Sequence, residues 1–333
     1  MTTKSKEIAH EKSNHSKGLI VSDPARSTYL GSSDIAAVMG VSPWKTRLDV
    51  YLEKIGEGAP PDADKAKIFK RGKRMEPLVI DMLADEYGWQ VVARNARYTD
   101  QEYDWMKCEV DAETDIDGER INLEIKTVHP FAAGKFGDMG TDQIPVEYAA
   151  QAMYSLMITG RRVCKFGVLV GSDNLSTYEI VRDEVTIAGM RAAAVAFWND
   201  HVLARVAPDP VNLPDIYKLM HRDKGGSQIE ANDQAAYMVE EYTRLSALSK
   251  DAEDKADELK FQIGSYMLGV ERMQKKDAPG GHALIRNGAE ILTITLQEQT
   301  RLDTKAVKSL YPKIAEECSK SSSFFVFRTQ KRK

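Results

Sequence analysis

Hydrophobic and polar residues follow two periods along this chain, one typical of helices and the other of strands. Apolar residues recur every three or four positions in residues 63–87, 146–159 and 186–206, which predicts three amphipathic helices. Pro77 lies inside the first and should kink it or divide it in two. Alternating or apolar stretches predict strands at residues 90–98, 106–113, 120–128, 165–170 and 176–181. Strands and helices that succeed one another in this way indicate a mixed α/β core.

Shorter local signals complete the pattern of this core. Ser32-Ser33-Asp34 ahead of an apolar stretch predicts a capped helix that Gly40 ends. A second short helix is expected where apolar residues keep helical spacing from Leu48 to Ile55. Asp117-Gly118 predicts a hairpin turn between the second and third strands.

We expect three parts along the chain. Residues 1–24 are polar and without periodicity, which predicts a disordered tail. The α/β core spans residues 25–210, because three prolines then interrupt the pattern within residues 208–214. Residues 211–333 form a C-terminal extension, predicted to be a helical arm followed by a small β/α region.

The extension begins with a charged helical stretch at residues 227–267. Its apolar residues, Tyr242, Leu245 and Leu259 among them, fit either a coiled-coil-like arm or a long helix packed on its own core. Asn287-Gly288 predicts a hairpin that joins HALIR to EILTITL. A helix is then expected from Asp303, and SFFVF predicts a final strand.

Composition places the chain among ordinary soluble proteins. Of its 333 residues, 42% are hydrophobic and 29% charged. No apolar run approaches the roughly 20 residues that cross a bilayer, and the polar N-terminus lacks a signal-peptide pattern. The three cysteines have no metal-ligand spacing. We therefore expect a cytoplasmic protein, without a membrane partner.

The net charge of -4 does not by itself indicate a nucleic-acid partner. Positive charge is nevertheless concentrated in KAKIFKRGKR at residues 65–74, where six of ten positions are basic. This stretch is either a solvated helix face or a surface for DNA phosphates. The candidates for DNA contact are Lys70, Arg71, Lys73 and Arg74.

Candidate chemistry lies in CEVDAETDIDGERINLEIKTV, residues 108–128. Asp111 lies near the end of one predicted strand, and Glu124 and Lys126 share a face of the next. The hairpin brings the three groups together. Two carboxylates can bind Mg²⁺, and a lysine beside the cation can stabilise developing negative charge or, with its pKa lowered by the cation, act as a base. This set suits metal-assisted phosphodiester hydrolysis.

The same spacing of charges also occurs by chance on a wet sheet face. The flanking residues Leu123 and Ile125 predict a buried strand, where unpaired charges are costly, and this favours a functional site. Glu76 follows the basic stretch and offers a further carboxylate. Gln151 and Tyr154 share a helix face, and they either contact substrate or are polar groups of the core.

Several of these motifs occur together in one nuclease family. The order E-x(34)-D-x(12)-E-x-K-x(24)-Q resembles the PD-(D/E)XK nucleases, specifically the group of YqaJ-type viral recombinases and lambda exonuclease. RSTYLGSSDIAAVMGVSPWKT resembles the N-terminal Arg and Gly-x-Ser-Asp signature of that group. IPVEYAAQAMYSLMITG is similar to its Pro-x-x-Tyr-x-x-Gln helix. The resemblance spans residues 26–205 and implies a restriction-endonuclease-like core, a mixed central sheet flanked by helices.

The resemblance also implies roles for individual residues. Asp111, Glu124 and the main-chain carbonyl of Ile125 would bind Mg²⁺, with Mn²⁺ as an alternative. Catalysis would depend on a set that also includes a lysine, a helical carboxylate and the polar side chains of one helix, namely Lys126, Glu76, Gln151 and Tyr154. Arg26 and Ser33 would bind the 5′-phosphate of a DNA end.

The implied activity is that of a 5′→3′ exonuclease on double-stranded DNA. Family members act as homotrimers and leave 3′ single-stranded tails for an annealing protein in phage recombination. Two alternatives remain open: an endonuclease or repair nuclease on the same core, and a DNA-end-binding protein without catalysis. Circular duplex DNA separates the first alternative, because it survives an exonuclease.

Overall fold

The computed structural model describes residues 24–60, 63–223, 228–271, 282–286, 289–294, 297–319 and 323–327. The chain divides into two compact units, Met1–Arg222 and Asp223–Lys333. Nearly all of the predicted tail and the Asn287-Gly288 turn lie outside the described residues. In the described part of the chain, no helix is both long enough and apolar enough to span a membrane.

The first unit alternates helices and strands as the periodicity predicts. Its elements are a 3-10 turn (Pro24–Thr28), β1 (Leu30–Gly31), α1 (Ser32–Val38), α2 (Arg47–Lys54), α3 (Ala63–Tyr87), β2 (Gln90–Thr99), β3 (Met106–Ile116), β4 (Glu119–Val128), a second 3-10 turn (Pro130–Lys135), α4 (Val146–Thr159), β5 (Val163–Val170), β6 (Asn174–Val181), α5 (Glu184–Phe197), a π-helical turn (Trp198–Leu203) and α6 (Leu213–Arg222).

Three of the helices show how well local signals place an element. α3 and α4 have the predicted bounds, and α3 remains one helix through Pro77. Gly160 ends α4 in the left-handed conformation, with φ of 71°, that glycine adopts without steric cost. The helix predicted at residues 186–206 is shorter, because α5 gives way to the π-helical turn at Trp198.

The strands form one mixed sheet with the order β1-β3-β4-β5-β6. β3 and β4 are antiparallel, as are β5 and β6, whereas β4 and β5 run parallel. β2 pairs antiparallel with one edge of β3, and the other edge is shared by β1 and β4. Helices flank this sheet, so the prediction of a mixed α/β core with a central mixed sheet is confirmed.

Two apolar clusters cover the two faces of the sheet. The smaller cluster packs α3 against β4 and β5, with Leu83 fully buried against Ile125 and Leu169. The larger cluster packs α1, α2, α4 and α5 on the opposite face. Each fully buried Leu or Ile side chain contributes on the order of 1.5–3 kcal/mol. Together the clusters hold α3 and α4 on either side of β4.

The second unit contains the predicted helical arm and a small hairpin. Its elements are α7 (Asp233–Glu271), β7 (His282–Arg286), β8 (Ala289–Ile294), α8 (Thr304–Leu310) and α9 (Pro312–Glu317).

Two outcomes in the second unit bear on the sequence-based predictions. β7 and β8 pair antiparallel, and the Asp303 side chain caps α8 by accepting from the main-chain amides of Lys305 and Ala306. The predicted strand at residues 323–327 is wrong. In the described part of the chain, that segment forms no strand and pairs with neither β7 nor β8.

Candidate active site

The candidate site lies at a gap in the hydrogen bonding of β3. On the edge that β3 shares with β1 and β4, pairing to β1 covers Met106 and Lys107, and pairing to β4 begins only at Ala112. Asp111 lies in this gap. Its Oδ2 accepts the main-chain N–H of Ile125 at 2.8 Å. A carboxylate thus takes the place of a main-chain acceptor, and this fixes Asp111 against β4.

Alternation along β4 separates packing residues from chemical ones. Leu123 and Ile125 pack toward α3, and Glu124 and Lys126 lie on the opposite face. The Lys126 ammonium lies 2.5 Å from Glu124 Oε1. From α4, the Gln151 amide donates to the same oxygen, and Lys126 also donates to Gln151 Oε1 at 3.4 Å. The structure therefore joins Glu124, Lys126 and Gln151 in one hydrogen-bonded set.

Negative charge accumulates at this set in a buried place. Glu124 is only 2% exposed, and burial together with the Asp111 carboxylate raises the pKa of Glu124 to about 7. Burial likewise raises the pKa of Asp111. Burial and the Asp111 charge raise the pKa of Glu76 on α3. Carboxylates that repel one another in this way are stabilised by an added cation.

Lys126 retains its proton in this arrangement. Burial opposes its charge, but Glu124 and Asp111 outweigh that effect and raise the pKa of Lys126. The Nζ atom also lies 5.1 Å from the centroid of the Tyr148 ring, a favourable position for a cation. With no cation bound, the site therefore favours an ammonium that donates hydrogen bonds over a neutral amine that acts as a base.

The donor set fits a hard divalent cation. Asp111 and Glu124 each keep one carboxylate oxygen without a hydrogen-bond partner among the described residues. Mg²⁺ typically uses one or two protein carboxylates and keeps several waters. The described residues contain no group of three or more His, Cys, Asp or Glu side chains arranged as a metal cage. Two carboxylates and a main-chain oxygen would thus hold a cation that remains open to substrate.

The basic stretch on α3 divides into two kinds of residue. The Lys73 ammonium contacts Glu76 at 3.1 Å, Asn95 Oδ1 at 2.7 Å and Glu109 at 3.4 Å. The charge of Lys73 is therefore largely compensated by acceptors within the protein. The other three predicted DNA contacts are exposed and form no ion pair within the described residues; they are Lys70, Arg71 and Arg74.

Arg26 and Ser33, the predicted phosphate contacts, meet at the start of α1. The Arg26 guanidinium donates to Ser33 Oγ at 2.5 Å and to Asp34 Oδ1 at 3.0 Å. The N-cap of α1 is Gly31, whose N–H donates to Asp34 Oδ2 at 3.0 Å, so Ser33 lies inside the helix rather than at its cap. Lys54 from α2 binds the same carboxylate at 2.8 Å. The predicted pair is thus part of a larger cluster.

Tyr154 does not join the carboxylates. It is fully buried, and its hydroxyl donates to the Leu30 carbonyl at 2.9 Å, so it is a polar group of the core. Tyr148, six residues nearer the start of α4, packs against Lys126 instead. Tyr148 is the tyrosine of the Pro-x-x-Tyr-x-x-Gln motif. The motif therefore pointed to the tyrosine beside Lys126, whereas helix spacing alone did not.

Two residues of the cluster around Arg26, Asp34 and Lys54, were also not predicted. Asp34 is the last residue of the Gly-x-Ser-Asp signature, and the motif marked it without showing that it binds Arg26. Lys54 carried no signal, because a lysine in the last turn of a short helix is expected to be exposed. Its side chain is in fact 0% exposed.

Comparisons with known proteins agree with the motifs. A family model described as the YqaJ-like viral recombinase domain matches residues 23–162. The protein YqaJ of Bacillus subtilis (strain 168), itself uncharacterized, is 26% identical over 330 residues, which is 97% of each chain. The resemblance inferred from the sequence is therefore confirmed.

Two solved exonuclease structures are among the similar folds. The alkaline exonuclease LHK-Exo from Laribacter hongkongensis has a TM-score of 0.45 and 18% identity, covering 60% of this chain and 94% of its own. A phage related exonuclease from Haemophilus somnus 129PT has a TM-score of 0.39 and 13% identity, covering 53% of this chain and 96% of its own.

Proposed function

We propose that this chain, whose residues 23–162 match the model of the YqaJ-like viral recombinase domain, is a Mg²⁺-dependent 5′→3′ exonuclease that acts on the ends of double-stranded DNA. The observation that carries the proposal is the hydrogen-bonded set of half-buried Asp111, Lys126 and Gln151 around buried Glu124, at the gap in the pairing of β3. Burying two carboxylates that repel each other is costly, and a catalytic cation explains why the chain keeps them.

Each residue of the set has a distinct task. Asp111, Glu124 and the Ile125 carbonyl hold the cation, with Mn²⁺ as a possible substitute. When bound, such an ion lowers the pKa of water and neutralises charge on a phosphate. Lys126 donates to the developing negative charge, consistent with its raised pKa. Gln151, which hydrogen-bonds both Glu124 and Lys126, holds the two groups in register.

End selection falls to the cluster around Arg26. An arginine fork with a neighbouring serine hydroxyl is suited to a terminal phosphate. The 0% exposed Lys54 and the Asp34 carboxylate orient the guanidinium from behind. Hydrolysis that begins at such an anchored 5′ end leaves 3′ single-stranded tails. Those tails would be the substrate of a single-strand annealing protein in phage-type recombination in the bacterial cytoplasm, with the enzyme acting as a homotrimer.

The test is nucleotide release from linear duplex DNA with 5′-phosphate or 5′-hydroxyl ends, in Mg²⁺ or EDTA. We expect Mg²⁺-dependent release that is faster from phosphorylated ends. Glu124→Gln should abolish it, and Lys126→Met should lower the rate by roughly 10²–10³-fold, as the loss of one transition-state donor does. Glu119→Gln is the matched control, since Glu119 lies on the same strand in a surface ion pair with Arg162.

The form of the DNA separates the exonuclease from its alternatives. Circular duplex should survive and linear duplex should not. Cleavage of the circle would indicate an endonuclease, and unchanged activity of Glu124→Gln would remove the metal-centre proposal altogether.

A further inference from the structure

A small cleft opens between α3 and the end of β4. Arg71 lines it from the helix, and Thr127, His129 and Pro130 line it from the strand and the turn that follows. Its volume is about 100 Å³, several times the space that one ordered water needs. None of the residues that line it is acidic. The cleft is therefore open to an anionic group.

Three hydrogen-bond donors in the cleft are uncommitted. Within the described residues, the Arg71 guanidinium and the Thr127 hydroxyl have no hydrogen-bond or ion-pair partner. His129 Nδ1 accepts the main-chain N–H of Phe131 at 3.3 Å, which places the ring proton of neutral His129 on Nε2. A guanidinium, a hydroxyl and an imidazole N–H around one anionic oxygen group are a typical phosphate-binding set.

An exposed aromatic ring lies next to His129 in the same turn. Phe131 is 96% exposed, although its ring lies 5.0 Å from that of His129. Pro130 and the 3-10 turn fix the main chain that carries it. An exposed phenylalanine next to phosphate donors has the chemistry that single-stranded nucleic acid uses, with a charged backbone and a base that stacks.

Alternation along β4 gives the cleft its place on the sheet. Thr127 lies on the face of β4 from which Leu123 and Ile125 pack toward α3, whereas Glu124 and Lys126 lie on the other face. The cleft is therefore on the α3 side of the sheet, close in sequence to the candidate metal centre and across β4 from Glu124 and Lys126.

We propose that this cleft binds one unpaired nucleotide of the substrate strand, with Arg71, Thr127 and His129 on its phosphate and Phe131 stacked on its base. The proposal rests on the proposed nuclease function, because it takes the substrate strand to be DNA. The cleft would hold the strand against α3, across β4 from Glu124 and Lys126. Arg71 and Phe131 are thus binding residues, and they do not act on the reacting atoms.

Two chemical double-mutant cycles test the proposal by binding alone. The full chain is titrated in EDTA with a labelled linear duplex whose linkages near the 5′ end are replaced, one at a time, by neutral methylphosphonates. Arg71→Gln should weaken binding of the unmodified duplex by about 5–10-fold and reduce the salt slope by about 0.9. The effect should vanish for one methylphosphonate position only. Lys65→Gln, which removes the same charge from α3, is the control.

The second cycle tests the stacked base. Phe131→Ala should weaken binding by roughly 5–100-fold, the usual range for loss of a stacked base. The loss should disappear when one abasic nucleotide replaces the base concerned. Phe131→Trp should retain binding. Both positions are exposed, so thermal melting should show the fold unchanged.

The results separate the cleft from the catalytic proposal. Equal losses for Arg71→Gln and Lys65→Gln at every linkage would overturn the phosphate contact. An equal Phe131→Ala loss with normal and abasic DNA would overturn the stacking, and failure of the protein to bind linear duplex would overturn both. If the losses for Arg71→Gln and Phe131→Ala each disappear at a single DNA position but Mg²⁺ yields no nucleotide release, the catalytic proposal fails and the proposal of nucleotide binding in the cleft stands.

Discussion

Replacing Lys54 by methionine removes one half of a buried ion pair behind the candidate phosphate site. The Lys54 ammonium lies 2.8 Å from Asp34 Oδ2 and also donates to the Arg26 carbonyl at 3.0 Å. The two charged side chains are 0% and 1% exposed. Methionine is similar in length and apolar, so Lys54→Met removes a charge and two hydrogen bonds while largely preserving packing.

The loss of unfolding free energy in Lys54→Met depends on the hydrogen bonds that Asp34 retains. Breaking a buried pair by removing one partner typically costs about 3–5 kcal/mol, because the remaining charge is uncompensated. Asp34 still accepts from Arg26 at 3.0 Å and from the Gly31 amide at 3.0 Å. We therefore expect the lower end, about 3 kcal/mol, out of a total stability of about 5–15 kcal/mol.

Equilibrium unfolding in urea, combined with a double-mutant cycle, measures this cost. Asp34→Asn with Lys54→Met removes both charges, so the double variant should be more stable than the sum of the two single losses predicts, by at least about 1 kcal/mol. A loss below about 1 kcal/mol for Lys54→Met, or strictly additive losses, would refute the argument that the pair is electrostatically coupled.

The pH dependence provides an independent check. Burial opposes ionisation of Asp34, but Arg26 and Lys54 outweigh it and hold its pKa below the ordinary value. The resulting stability is complete above the unfolded pKa of about 4 and is lost as pH falls through the lower folded value. Lys54→Met should lose less stability over that acid range than the wild type. The pKa of Lys54 itself is lowered, first by burial and then by repulsion from the Arg26 guanidinium, which together outweigh the attraction of Asp34.

Three further changes test the sheet, the phosphate cluster and the metal centre. Gly167→Ala should cost about 1–3 kcal/mol in urea unfolding, because its Cβ would lie 2.1 Å from Leu83 Cδ1; unchanged stability would contradict the packing of α3. Gly31→Ala places a Cβ 2.0 Å from Arg26 Nη1, so KM for 5′-phosphorylated ends should rise with kcat nearly unchanged, and a retained preference for phosphate would argue against this site. Mg²⁺ should raise the melting temperature of the wild type and not of Asp111→Asn, since only a state that binds the ion is stabilised; equal shifts would place the ion elsewhere.

Local periodicity predicted most elements of the core but not the gap that forms the site. α3 and α4 could be placed because their apolar spacing, and for α4 the flanking Pro145 and Gly160, are local signals. β1 has only two residues, Leu30 and Gly31, too few to show any period. Its parallel pairing with β3 is a long-range contact, and it determines where main-chain pairing of β3 stops. The position of Asp111 in that gap therefore could not be derived from the pattern.

The buried carboxylate and lysine were predictable for a different reason. Apolar neighbours such as Leu123 and Ile125 marked β4 as a buried strand, where Glu124 and Lys126 needed each other or a ligand. That inference uses only alternation and the cost of burying charge. The sequence around Lys54 gave no signal of burial, because the burial of Lys54 depends on the packing of α2 against the turn that contains Arg26.

Helix spacing could not choose between the two tyrosines of α4. Tyr148 and Tyr154 each lie three residues from Gln151, so both are neighbours of Gln151 on one helix face. Along the helix axis, Tyr148 lies about 4.5 Å before Gln151 and Tyr154 about 4.5 Å after it. Whether Tyr148 contacts Lys126 depends on how α4 crosses β4, and whether Tyr154 reaches the Leu30 carbonyl depends on the position of β1. Spacing therefore identifies a face, whereas the assignment of one tyrosine to the site and the other to the core requires the long-range packing of the sheet.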